Sequence, residues 1–448
     1  MTRCLSFLLF FLSIVAIKAQ TSVSFYNLGS TTFQNSYLNP ALVPQGKVFI
    51  GLPGISGVHL HFNNKVSYNQ AITKQENSTL IDITKIISNL QRQNMLSAHV
   101  NVNLLHFGYR LNSGTVLSLT ANERVEGDLL YPKQLVQYIW DPTASFVNEN
   151  VEIGRAGVKL THFREFGIGA TVPVNEFLTV GARAKYLVGF LDVSAPGTFV
   201  GTINSNGEGF QVDADFQNAS FRTSGRGIYN GDVGNLGSHL LFNANRGAAL
   251  DVGIKYRLTP RYTVTASVLD LGFINWNEDI ENRSLTDTTF NYEGVNLNTS
   301  ISNVREVLED SLINRLSPST NNDPYRGWMP ARAYASLIWR YRARTDIHST
   351  VGARMIQQRM KMLYGVGVTH RFGKAFTGSV TATKLPQQFF NAGAALAVRG
   401  GPVQFYMAAD QIINFSVPDA KAFDFRLGIN LIFDGRDGGN DDEVFGRK

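Results

Sequence analysis

Near the C-terminal end of the chain, from Ala422 to Phe433, every second residue starting at Phe423 is large and apolar, while Asp424, Arg426 and Asn430 fall between them. Successive side chains of a strand point to opposite faces, so a strand built on this stretch has one greasy side and one polar side. A wall with lipid outside and water inside needs that arrangement. The length also fits the roughly 9–11 residues with which a tilted strand crosses a bilayer, against about 5–6 for a strand in a soluble protein.

The same alternation recurs along the chain. Leu250, Val252, Ile254 and Tyr256 oppose Asp251, Lys255 and Arg257, and Thr259-Pro260 then turns the chain into Tyr262, Val264, Ala266 and Val268. Leu178 to Phe190 and Phe390 to Val398 behave alike. At Leu104-Leu105 the alternation slips by one residue, which predicts a β-bulge. The pattern predicts about fourteen strands, over 47–63, 97–110, 113–124, 155–170, 176–190, 247–258, 260–272, 330–342, 346–357, 362–372, 375–384, 389–400, 402–410 and 422–433, an even number as in bacterial barrels. The expected fold is therefore all-β, a transmembrane antiparallel β-barrel.

Connections follow the same logic. Short turns come after every even strand, and the long segments 64–96, 125–154, 191–246 and 273–329 all follow odd ones. Outer-membrane barrels have short periplasmic turns and long extracellular loops, which puts both termini in the periplasm and the long loops outside the cell. Phe107, Tyr109, Tyr256, Tyr262, Trp339, Tyr341, Phe372, Phe376 and Phe433 gather at the short-turn ends, where an aromatic girdle belongs. Within the long segments, Thr79–Leu90 and Val304–Leu312 carry helix-like spacing.

Arg3, the apolar run Leu5–Ile17 and Ala19 before Gln20 mark residues 1–19 as a secretory signal peptide, which leaves 20–46 ahead of the barrel (47–433) and 434–448 as an acidic periplasmic tail. The one cysteine, Cys4, lies in that leader, so the mature chain has no thiol chemistry, disulfide or cysteine metal site. The formal net charge of +6 over 448 residues falls further when Arg3 and Lys18 leave with the leader, too weak a balance for nucleic acid. Outer-membrane lipid and the barrel assembly machinery are the partners such a chain implies.

Candidate chemistry is sparse. There is no Gly-x-Ser-x-Gly elbow, and no histidine falls in a hydrolase motif, so no enzyme and no cofactor is expected. His59 and His61 share a strand face but are too few for a metal site, and the acidic tail lacks a calcium-loop pattern. The polar faces carry Arg183, Lys185, Lys255, Arg257, Arg332, Arg340, Arg342, Arg354 and Arg426, against fewer acids such as Asp251, Asp410 and Asp424. Such a lumen either attracts anionic solutes or ties the inner segment to the wall through ion pairs.

Ahead of the first strand, Ser36-Tyr-Leu-Asn39-Pro40-Ala41-Leu42-Val43-Pro44 offers Asn39 as a helix cap with Pro40 in the first helical position. A short plug helix is expected there. Placed between a leader and so many strands, Asn39-Pro40-Ala41 resembles the N-terminal hatch of FadL-like long-chain fatty acid transporters and of the PorV-like barrels of type IX secretion. With Val268-Leu-Asp-Leu-Gly-Phe273, the chain is similar to a poorly characterised family of such barrels in the Bacteroidota. The FadL resemblance implies a plugged lumen that passes a hydrophobic or amphipathic anionic ligand. The PorV resemblance implies instead a platform that docks secreted proteins.

Overall fold

Strand pairing runs in chain order and comes back on itself. A computed structural model of the chain describes residues 23–75, 78–140, 150–206, 211–217, 219–225, 243–285, 288–292, 319–356, 359–373, 375–384, 391–412 and 421–434. Fourteen antiparallel strands form a closed barrel. From Gln93–Arg110 each strand pairs with the next, through Val116–Pro132, Asn150–Pro173, Leu178–Asn206, Arg246–Arg257 and Tyr262–Trp276. The order continues through Arg332–Arg342, Thr345–Ile356, Arg359–Phe372, Phe376–Lys384, Asn391–Gly400 and Val403–Ala409 to Ala422–Phe433. The first strand closes the ring by pairing with both the last and the second. It does so in two pieces, Val48–Gly51 and Val58–Asn63, because Leu52–Gly57 leaves the ladder between them.

The two faces separate as the alternation requires. Leu250, Val252, Ile254 and Tyr256 are exposed on the outer wall, whereas Asp251 is fully buried inside. Phe423, Ile429 and Phe433 face out in the same way, with Asp424 and Asn430 buried inward. The expected bulge is present: the register of Gln93–Arg110 against its neighbour shifts between Asn103 and Leu105. A second bulge lies between Leu250 and Val252, opposite Leu269 and Asp270. At the short-turn end Tyr262 stacks on Trp339 at 6.5 Å and Trp339 meets Tyr341 edge-on at 5.5 Å, the girdle pattern of a bilayer interface. No helix among the described residues is long and apolar enough to cross a membrane.

At the other end the structure corrects the expected loops. Leu178–Asn206 is 29 residues long and Asn150–Pro173 is 24, far more than a bilayer needs. Strands Gln211–Gln217, Ala219–Ser224, Ile280–Leu285 and Thr288–Tyr292 extend the same sheet through segments expected to be loop. Backbone hydrogen bonding between neighbours carries these ladders on past the stretch where side-chain alternation is legible. The helix expected at 79–90 is shorter: Ser78–Ile81 pairs as a strand, and Ile83–Asn89 is helical, with the Asp82 side chain accepting from the Lys85 amide at 3.0 Å. Helix-like residues 304–312, the leader 1–19 and tail residues 435–448 lie outside the described residues.

Candidate functional site

Residues 23–42 lie inside the barrel and are almost wholly buried. A short helix, Val23–Tyr26, is followed by two 3-10 turns, Gly29–Thr31 and Phe33–Tyr37. Polar groups tie this segment to strands all round the wall. The Ser24 amide donates to Asp410 at 2.8 Å, Thr369 donates to the Asn27 carbonyl at 2.9 Å, and Gln404 donates to the Thr31 carbonyl at 2.8 Å. Gln34 and Asn430 exchange amide hydrogen bonds at 2.6 and 2.7 Å, and Arg183 donates to the Ser36 hydroxyl at 2.8 Å. Ser267 and Thr171 donate to the carbonyls of Leu38 and Pro40, both at 2.6 Å. A buried backbone group without a partner is costly, and these bonds answer that demand in an irregular segment.

The expected plug helix does not start at Asn39. Its side-chain oxygen accepts from the Ala41 amide at 2.9 Å in a local turn, and its amide nitrogen reaches the wall carbonyls of Ile254 and Ala266 at 3.2 Å each. Val43 precedes Pro44, which disfavours helical backbone there, and the chain must straighten to enter the strand at Val48. Asn39-Pro40-Ala41 thus works as a wall anchor. It fits because two facing wall positions lack side chains: a Cβ on Gly181 would sit 2.2 Å from the Pro40 carbonyl carbon, and one on Gly253 would sit 2.1 Å from the Asn39 oxygen.

Apolar contacts complete the seat. Phe25, Tyr26, Leu28, Leu38 and Leu42 cluster with the inward-facing Ala395, Ala397, Ala408, Tyr334 and Tyr406. Tyr26 stacks on Tyr334 at 5.3 Å, and Phe33 stacks on His106 at 4.4 Å. Burial pushes the Tyr26 and Tyr37 phenols up, so both stay neutral.

Beside this segment the lumen holds a dense ion-pair network. Asp270 takes three cations, Arg124 at 3.0 Å, Lys185 at 2.7 Å and Arg332 at 2.6 Å. Lys185 also pairs with Asp251 at 2.8 Å, and Arg124 with Glu165 at 2.9 Å and with Glu126. Arg354 reaches across to Glu126 at 2.9 Å and Asp128 at 3.3 Å, joining strands well apart in the ring. Asp270 holds a positive φ of 59° within its strand, and its amide donates to Asp251 at 2.8 Å. The bulge opposite Asp251 is what turns Asp270 into the network.

Of the expected lumen cations, Lys185, Arg332 and Arg354 belong to this network. Arg183 borders it, 3.8 Å from Asp251, and lies over the Tyr37 ring at 4.7 Å, while Arg426 lies over the Phe25 ring at 5.4 Å, so both touch the inner segment. Arg340 pairs with Asp346 at 3.0 Å near the short turns, where Lys255 is half-buried, and Arg257 pairs with the exposed Glu176 at 3.5 Å. His59 and His61 both meet one oxygen of Asp424, at 3.1 and 2.8 Å, and no group suited to a metal occurs among the described residues. The network also contains acids beyond Asp251, Asp410 and Asp424, namely Glu126, Asp128, Glu165 and Asp270. Arg124, Glu126 and Asp128 alternate like any strand face; ending that strand at residue 124 hid two of them.

The model of the Family of unknown function (DUF5723) matches residues 40–410. No curated protein matches the chain. Among solved structures, the Ralstonia pickettii toluene transporter TbuX is similar at 11% identity, covering 89% of this chain and 93% of its own, with a TM-score of 0.40. The Pseudomonas putida toluene transporter TodX gives 10% identity, 93% and 94% coverage and a TM-score of 0.39. A Pseudomonas aeruginosa FadL homologue gives 9% identity, 94% and 100% coverage and 0.41. The barrel assignment stands on the strand pairing and not on these distant likenesses.

Proposed function

We propose a function for this chain, which belongs to the Family of unknown function (DUF5723): it is an outer-membrane barrel that passes small hydrophobic or amphipathic molecules, with the segment 20–46 as its movable hatch. One observation carries the reading. Among the polar anchors, one part of the wall behind the buried segment is apolar, built from Ala395, Ala397, Ala408, Tyr334 and Tyr406, so displacing the segment opens a greasy patch in the lumen that water alone does not favour. Most of the lumen cations resolved in the network are held by carboxylates, which shifts the preferred solute from an anion toward an apolar body with at most one charged end. No catalytic role is assigned to any residue.

A disulfide between the hatch and the wall tests this directly. Ser24 and Thr381 touch through their hydroxyls, and the mature chain has no cysteine of its own to interfere. Ser24→Cys with Thr381→Cys, reconstituted in vesicles, is expected to admit a small aromatic hydrocarbon and a long-chain fatty acid when reduced and neither when oxidised. Equal entry in both states, or entry in neither, overturns the channel reading. A second reading, a docking platform for secreted or surface proteins, is favoured by the tall sheet of Leu178–Asn206 and its neighbours, which continues well beyond a membrane span. In that case the locked and reduced forms retain the same protein partner.

A further inference from the structure

The outer wall carries a depression of about 680 Å³ between the strands Asn150–Pro173 and Thr345–Ile356. Its sides are small outward residues, among them Ala170, Ala182, Ala266, Ala335 and Ala353, and its floor includes Gly181 and Gly253, the positions against which Pro40 and Asn39 pack from inside. That volume falls within the roughly 300–1,000 Å³ of ordinary small-molecule pockets. Facing hydrocarbon, such a hollow does not stay empty, because an unfilled gap forfeits dispersion contacts on every side.

What lies below it on the same strands identifies the occupant. Tyr256, Tyr262, Trp339 and Tyr341 form an exposed aromatic band, and beside them Arg342 at its strand's end and Arg261 and Arg344 in the adjacent turns 258–261 and 343–344 are all exposed. The two turns are neighbours, since the Arg340 amide donates to the Arg261 carbonyl at 2.8 Å. Among the described residues these three guanidinium groups form no ion pair with a carboxylate. Ala266 lies five residues of strand from Arg261, about 17 Å at ~3.4 Å per residue, close to the ~15 Å of one leaflet's hydrocarbon. Apolar hollow, aromatic band and arginines are thus stacked in the order of acyl chain, interface and phosphate.

We propose that this face is a binding site for one anionic phospholipid of the periplasmic leaflet, an acyl chain in the hollow and the phosphate on Arg261, Arg342 and Arg344. The leaflet follows from the proposed placement of the short turns; the binding itself does not depend on transport. Native mass spectrometry of the full chain in mild detergent, with phosphatidylglycerol or phosphatidylcholine added, tests it. Phosphatidylglycerol is expected to stay bound where phosphatidylcholine is lost. The bound lipid should vanish both in the Arg261→Gln/Arg342→Gln/Arg344→Gln variant and in Ala266→Leu/Ala335→Leu, which fills the hollow, and persist in Arg399→Gln near the end of a distant strand. Heat-modifiable migration shows that each variant is folded. Equal retention of the two lipids, or persistence in either folded multiple variant, overturns the site.

Discussion

At the scale of single residues, Asp270 does the most. Its carboxylate is nearly inaccessible, meets three cations, and is aimed by a backbone conformation that few residues other than glycine adopt readily. Removing one partner from a buried ionic group leaves uncompensated charge at a cost of about 3–5 kcal/mol. Asp270→Asn is therefore expected to lower the midpoint of urea unfolding in vesicles by a corresponding amount, and an unchanged midpoint would show that Arg124, Lys185 and Arg332 do not depend on it. Gly181 and Gly253 matter through what they lack. A methyl group at either must push Asn39-Pro40-Ala41 inward, so Gly181→Ala or Gly253→Ala should speed amide hydrogen exchange in residues 23–42 while that of the wall strands stays put. Exchange as slow as in the unaltered protein would mean that the anchor is elsewhere.

At the scale of elements, alternation made the strands legible because lipid and water act on opposite faces of one chain segment. Ala422–Phe433 comes out as expected to the residue, and the slip at Leu104-Leu105 is a real change of register. What stayed hidden has two physical sources. Beyond the bilayer both faces meet water, so the continuation of Leu178–Asn206 carries no such contrast. Inside the lumen, charge pairs form between residues far apart in the chain, such as Arg124 with Asp270, and no local pattern announces them. The Val268–Phe273 motif was visible as a string, but its meaning, a bulge that turns Asp270 inward, needed the neighbouring strand. The assigned faces can be tested by charge. Val252→Arg on the outer wall should destabilise the folded barrel by about 2–4 kcal/mol, whereas Lys255→Gln inside should be far milder. Matching losses in refolding yield and unfolding midpoint for the two would refute the facing of this strand.

At the scale of the whole molecule, the two ends of the barrel differ, and the difference bears on orientation. One end is made of tight turns, such as 258–261 and 343–344, beneath a ring of tyrosine and tryptophan; the other rises into strands and hairpins that include Ser319–Asn321 paired with Ile280–Leu285. Outer-membrane barrels have short periplasmic turns and longer extracellular loops, and on that ground we propose that the turns lie in the periplasm and Asn321 outside the cell. Cys4 is the one cysteine of the sequence, so single substitutions in a Cys4→Ser background make this measurable. Asn321→Cys, exposed beyond the barrel mouth, is expected to react with a membrane-impermeant maleimide on intact cells, and Thr259→Cys, exposed on a tight turn, only after the outer membrane is opened. The opposite order of labelling would invert the molecule. It would carry the arginine turns to the outer surface, and with them the leaflet assigned to the proposed phospholipid.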